Sequence, residues 1–235
     1  MYKTNLIMLG KRGLHYSTAQ FKTKIKPKRW IPYSIFGVSF FTGWIFTQQM
    51  TFTDLMAYWR YDKLPQDAEE VRNYQGNLLQ RAERLPVVRQ LKSSGYIEVF
   101  PKRRTDDKLI DQTLSTPGGI AISPKIYYNP ASKETVGIYH LGMKLTGYPF
   151  IVHGGILATV MEDLMRESVK IIKNKEGEKT KDLKVSYKLP TLANQFVVIR
   201  TTKIENIGKN IKLSVDVMDE TGNRNLVKGQ GIFSA

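Results

Sequence analysis

The chain has 235 residues, no cysteine and three histidines, and its formal charge is +15. That composition excludes a disulfide scaffold, a cysteine nucleophile and a thiolate metal site, and it argues against a multi-histidine metal centre. The length allows one domain of roughly 100–200 residues with chain to spare. The charge is unevenly spread. Residues 1–53 hold eight Lys/Arg and no acid, which leaves +7, an ordinary basic surface, on residues 54–235. No nucleic-acid-binding module accompanies it, so nucleic acid is not an expected partner. Neither a G-x-S-x-G motif nor a Walker A loop occurs. The fragment Gly229-Gln230-Gly231 lacks the third glycine and the following helix of a dinucleotide loop, so it reads as strand.

Residues 1–29 are basic, acid-free and hydroxyl-bearing, with apolar residues between the charges. This is the composition of a mitochondrial targeting segment; a disordered basic tail is the plain alternative. An uncharged stretch follows, Trp30 to Thr53. Its apolar part, Ile31 to Phe46, approaches the roughly 17–20 residues that a helix needs to cross hydrocarbon. Pro32 suits a first helical turn. Trp30, Tyr33 and Trp44 suit the interface levels. The reading is one transmembrane helix over residues 30–50, with a buried helix as the alternative. Lys22, Lys24, Lys26, Lys28 and Arg29 crowd its N-terminal side. That charge bias puts the C-terminal domain of an inner-membrane protein in the intermembrane space.

Residues 51–118 read as a helical linker and loop. Val71, Tyr74, Leu78 and Leu79 recur at helical spacing over 66–92, with Asp67 as a candidate cap and Glu69 and Glu70 near the positive end. Pro86 breaks or kinks that helix. Residues 101–118 are polar, with Pro, Gly and paired Asp, and read as loop.

From Gly119 the pattern changes. "GIAISPKIYYN" and "ETVGIYHLG" are β-rich runs joined by a short turn. Leu157, Val160, Met161, Leu164, Met165, Val169 and Ile172 then mark a helix of about five turns, begun at Gly154-Gly155 and ended near Asn174–Gly177. Four further strands follow, "DLKVSYKL", "QFVVIRTTKI", "NIKLSVDVMD" and "RNLVKGQGIF", with Gly/Asn-bearing turns between the last three. One helix covers six antiparallel strands only if the sheet curls around it. The open edges of such a sheet invite pairing with another copy.

"VHGGILATVMED" (Val152 to Asp163) and "LKVSYKLP" resemble the helix signature and the following strand of hotdog-fold acyl-CoA thioesterases. The resemblance runs from about Leu85 to Ala235 and is strongest to mitochondrial, membrane-tethered fungal members. It implies an α+β hotdog domain over 119–235, a homodimer or homotetramer, and an acyl-CoA thioester as substrate. It implies no cofactor beyond the CoA carried by the substrate, and no metal.

The resemblance also assigns roles. Glu162, nine residues after His153, is the general base or nucleophile, facing the H-G-G turn of a partner subunit. A carboxylate paired with Arg166 at i+4 is its plain alternative. Gly154 and Gly155 open a helix, so their amides point along its positive end and offer oxyanion donors; alternatively they only permit a tight turn. His153 orients the loop or the thioester. Thr180, seven residues before Tyr187, holds the water or the carboxylate. Asp163 belongs to structure. Two residues depart from the family pattern. Phe150 stands where a small residue, often glycine, is common, and Met143 where proline is frequent. They leave open a second reading, a catalytically inactive hotdog module that binds acyl-CoA or scaffolds a mitochondrial membrane complex.

Overall fold

The computed structural model describes residues 30–49, 52–100, 109–174 and 177–234. The targeting segment expected over residues 1–29 lies outside them. The chain divides into two compact units between Trp44 and Ile45.

Helix α1 (Trp30–Gln49) forms where the uncharged stretch predicts it. Ser34 and Thr42 donate back to the carbonyls of Trp30 and Val38, which satisfies their hydroxyls within an apolar surface. The expected membrane span is corrected. Among the described residues, no helix is long and apolar enough to cross a membrane. Pro32, Ser34, Ser39, Thr42 and Thr47 dilute the helix, and Gln48 and Gln49 end its apolar run early.

Three helices follow: α2 (Phe52–Trp59), α3 (Glu69–Arg84) and α4 (Pro86–Ser93), with a 3-10 turn at Tyr61–Lys63. Pro86 sits in the first turn of α4, so the proline starts a new helix rather than kinking an old one. Helix α3 buries Val71, Tyr74, Leu78 and Ala82. Leu79 is 43% exposed, so the fourth core position is Ala82, one turn after Leu78.

The strands are β1 (Ile97–Val99), β2 (Lys125–Asn129), β3 (Glu134–Leu141), β4 (Thr146–Tyr148) and β5 (Ile151–Val152). Helix α5 (Gly154–Lys173) comes next, and then β6 (Lys179–Tyr187), β7 (Gln195–Ile207), β8 (Asn210–Met218) and β9 (Asn225–Ser234). The main sheet is antiparallel, in the order β1-β2-β3-β7-β8-β9-β6, and β4-β5 form a separate pair. The expected count of six strands becomes seven because β1 pairs with β2, Ile97 opposite Tyr128. The polar stretch thought to be loop contains a π-helical turn, Leu109–Thr113, and it buries Ile110.

Helix α5 lies on one face of the sheet. Leu157, Val160, Met161, Leu164, Met165 and Val169 meet Tyr139, Val197, Ile199, Leu213, Val215 and Val227. Each such side chain contributes roughly 1.5–3 kcal/mol by leaving water. The "GQG" fragment lies in β9 beneath this helix. A Cβ at Gly229 would collide with Met161, and one at Gly231 would stand 2.7 Å from Met165 Sδ. The glycines therefore let α5 approach the sheet closely.

The opposite face is also covered, which the sequence reading did not foresee. Tyr74, Leu78, Ala82, Val87, Val88 and Leu91 pack on Tyr127, Val136, Ile138, Phe196 and Val198. What read as a linker is a second helical layer. A sealed polar cluster sits within it. Tyr74 donates to buried Asp54 at 3.3 Å, Arg81 stands 3.8 Å from the same carboxylate, and buried His140 packs edge-on against Phe196. Burial, with Arg81 adding to it, pushes the His140 pKa down to about 4.

Candidate active site

Two groups of residues on α5 carry the expected chemistry. The first is the helix N-terminus. His153 is the N-cap, and its Nδ1 accepts the Gly155 N–H at 3.0 Å. With Nδ1 accepting, Nε2 is the ring nitrogen left to donate. His153's own N–H donates to Leu145 O at 2.8 Å, which ties the cap to the 3-10 turn Met143–Leu145. The Gly155 amide is thus engaged by the cap. No backbone carbonyl of the described residues accepts the Gly154 N–H.

Tyr187, which the sequence reading used only as a spacing mark, completes this corner. Its hydroxyl donates to Gly154 O at 2.8 Å. A Cβ at residue 154 would stand 3.1 Å from its ring and hydroxyl. Glycine at 154 lets the ring lie close against the turn. The clue was the tyrosine near the end of "LKVSYKLP", but only the folded chain brings residues 154 and 187 together.

A cleft of about 440 Å³ opens at this corner. Tyr148, Ile151, Leu157, Tyr187, Leu189 and Pro190 give it an apolar wall, and His153, Gly154 and Lys188 also line it. Phe150 is not among its lining residues. It occupies the second position of the β4–β5 turn, after Pro149, with φ of 64°. A type II turn requires that left-handed conformation there, and glycine adopts it at least cost. This gives a backbone reason for a small residue at position 150, and it leaves Phe150 strained. Met143 packs half-buried against the core.

The second group is one helical stretch away. Thr180 Oγ1 donates to Glu162 Oε1 at 2.6 Å. A bulge makes this contact possible. Register slips between Thr180 and Asp182, so Thr180 and Leu183 both face α5 although they are three residues apart. Glu162 is half-buried at the flank of the helix. Arg166, its alternative partner, stands 3.4 Å from Glu178. Asp163 accepts from Tyr139 at 2.8 Å, a bond between helix and sheet that matches a structural role. Nine residues of helix separate His153 from Glu162, about 13 Å of rise. Within one chain the two groups therefore do not converge on one atom. Among the described residues, no group of three or more His, Asp or Glu is placed to hold a metal ion.

Strand β6 forms one edge of the sheet and β1 the other. β1 has three residues and β6 has nine, so β6 is the edge long enough to accept a further strand.

Comparison with known proteins places the chain. No protein-family model matches it. The mitochondrial membrane protein FMP10 of Saccharomyces cerevisiae is 55% identical over 218 residues, covering 92% of this chain and 89% of FMP10. The acyl-coenzyme A thioesterase THEM4 of Mus musculus is 30% identical over 124 residues, 52% of each chain. A thioesterase superfamily protein from Shewanella loihica has 15% identity and a TM-score of 0.40, over 48% of this chain and 90% of its own. With 55% identity across about nine tenths of both chains, this protein belongs to the family of FMP10.

Proposed function

We propose that this protein hydrolyses acyl-CoA thioesters at sites shared between two copies of the chain. The observation that carries the reading is the Thr180–Glu162 hydrogen bond. It fixes a half-buried carboxylate on the central helix at the position where the resemblance expects a base. The 30% identity to an acyl-coenzyme A thioesterase supports the substrate class.

In this reading two β6 edges pair, and Glu162 of one protomer faces the His153 turn of its partner. Glu162 takes a proton from water, and the hydroxide adds to the thioester carbonyl. The developing oxyanion accepts from the Gly154 N–H and from His153 Nε2–H, at the positive end of α5. The Gly155 amide acts one step back by holding His153 in its donor tautomer. The tetrahedral intermediate collapses, the carbon–sulfur bond breaks, and the thiolate takes the proton that Glu162 removed from water. The products are a carboxylic acid and CoA. The apolar cleft takes the chain beside the thioester, and Lys188 at its wall is the cation available to a CoA phosphate. FMP10 is a mitochondrial membrane protein, and we place this chain at a mitochondrial membrane surface.

The test is thiol release from a panel of acyl-CoAs by the wild type and by Glu162→Gln, with dimerisation measured in parallel. Loss of a positioned general base lowers kcat by roughly 10²–10⁴-fold. Equal, background rates in both proteins overturn the catalytic reading. They would favour a non-catalytic module, for which the strained Phe150 turn beside the cleft is the specific supporting feature.

A further inference from the structure

Helix α2 has two faces that do not match. Asp54 and Ala57 are buried against the second helical layer. On the other side Phe52 is 72% exposed, Leu55 41%, Tyr58 51% and Trp59 66%. At 100° per residue these four fall within about 120° of arc, and Phe52, Leu55 and Trp59 within about 60°. An exposed apolar stripe of this kind on a helix whose back is anchored calls for an occupant.

We infer that this stripe lies in the surface of an anionic lipid bilayer. Three observations select lipid. The stripe carries Trp, Tyr and Phe together, the residues suited to the boundary between headgroups and acyl chains. Its charges are cationic. Arg60 and Lys63 are exposed beside it, Asp54 is buried, and Asp62 is held by Lys144 at 2.6 Å. Finally, the chain leading into α2 is uncharged from Trp30 to Thr53, exposes further apolar side chains in α1, and follows an acid-free basic segment. An aromatic stripe flanked by lysine and arginine fits anionic lipid by both burial and charge.

The stripe is also tied to the candidate site. Asp62, in the turn after α2, holds Lys144. Lys144 lies in the 3-10 turn whose Leu145 carbonyl accepts the His153 N–H. One ion pair and one hydrogen bond thus link the lipid-facing helix to the cap of α5. The inference deepens the membrane placement proposed above, and it does not depend on the hydrolase activity.

Tryptophan fluorescence tests it on the full chain, because each helix can be watched alone. Trp30→Phe with Trp44→Phe leaves Trp59 as the reporter of α2. Trp30→Phe with Trp59→Phe leaves Trp44 as the reporter of α1. Vesicles of phosphatidylcholine, with and without phosphatidylglycerol, carry bromines at graded depths on the acyl chains. The expected result is a blue shift of Trp59 with strongest quenching by the shallow bromines. Binding should be on the order of tenfold tighter to the anionic vesicles and should weaken with salt. Phe52→Ser with Leu55→Ser in the Trp59 reporter should weaken binding about tenfold.

Quenching of Trp44 alone overturns the inference and leaves membrane placement standing, through α1. Absence of vesicle binding by both reporters overturns the inference and the membrane placement together. A blue shift of Trp59 without vesicles that grows with protein concentration assigns the stripe to a second copy, and it also overturns the inference.

Discussion

Two carboxylate–hydroxyl pairs lie on opposite sides of the same sheet, and they differ in what surrounds them. Glu162 with Thr180 sits at the flank of α5, half-buried and beside an edge strand. Asp54 with Tyr74 is sealed between the second helical layer and the sheet, with Arg81 and the buried ring of His140 close by. The residue types are alike. The first pair lies within reach of solvent, whereas the second is buried and ties α2 to α3. Accessibility, rather than residue chemistry, separates a candidate catalytic carboxylate from a structural one.

The largest test of this contrast is pH. His140 is held neutral, with a pKa near 4 against an ordinary value of 6.5. The unfolded chain binds a proton below about 6.5 that the folded chain refuses until about 4, so stability rises with pH across that window. The expected loss between pH 7 and pH 4 is on the order of 3 kcal/mol from this group. Denaturant titrations at several pH values, on the wild type and on His140→Leu, should show the slope in the first and its flattening in the second. Equal slopes would mean that the cluster is not sealed.

Next is Asp54→Ala. Removing one partner from a buried pair leaves the other polar groups unmatched. Because Arg81 is 43% exposed on its side chain, the expected loss is about 2 kcal/mol rather than the full range for buried pairs. Activity per folded molecule should not change. A loss of kcat without a loss of stability would reverse the assignment of the two clusters.

Thr180→Val is the counterpart on the other side of the sheet. It removes the donor to Glu162 and keeps the side-chain shape. A hydrogen bond to a charged group is worth roughly 1.5–3 kcal/mol, so kcat should fall at least about tenfold while the melting temperature falls by no more than several degrees. A fall in melting temperature with unchanged kcat would make this pair structural too.

The smallest effect concerns the strained turn beside the cleft. At an ordinary position alanine is more stabilising than glycine. At Phe150, with φ of 64°, the order should invert. Phe150→Gly should exceed Phe150→Ala by about 1 kcal/mol in denaturant titration, because only alanine keeps the left-handed strain. The ordinary order would show that this turn is relaxed.

Much of the fold could be read in advance, for identifiable reasons. Helix α5 is 20 residues long with an uninterrupted apolar stripe, and β7, β8 and β9 alternate across Gly/Asn-bearing turns. The separate strand β1 was missed because three residues are too few to show a period. The helices at 69–93 were found, yet their partner was not, since an amphipathic face does not say which surface it covers. At the candidate site Glu162 and Thr180 were paired by resemblance, and they are in fact hydrogen-bonded. Tyr187 was passed over, because a tyrosine in a strand has no signal that it will meet a glycine 33 residues earlier.

The sequence by itself determined the elements with strong periodicity, the glycine-led start of α5, and the uncharged helix with its basic approach. These are local matters, set by side-chain spacing and backbone conformation within a few residues. Tertiary structure alone decided the second helical layer, the bulge that turns Thr180 toward Glu162, the sealing of Asp54 and His140, and the docking of Tyr187 on Gly154. Each depends on which distant surfaces meet and in what register, and contacts of that kind leave no period in the chain.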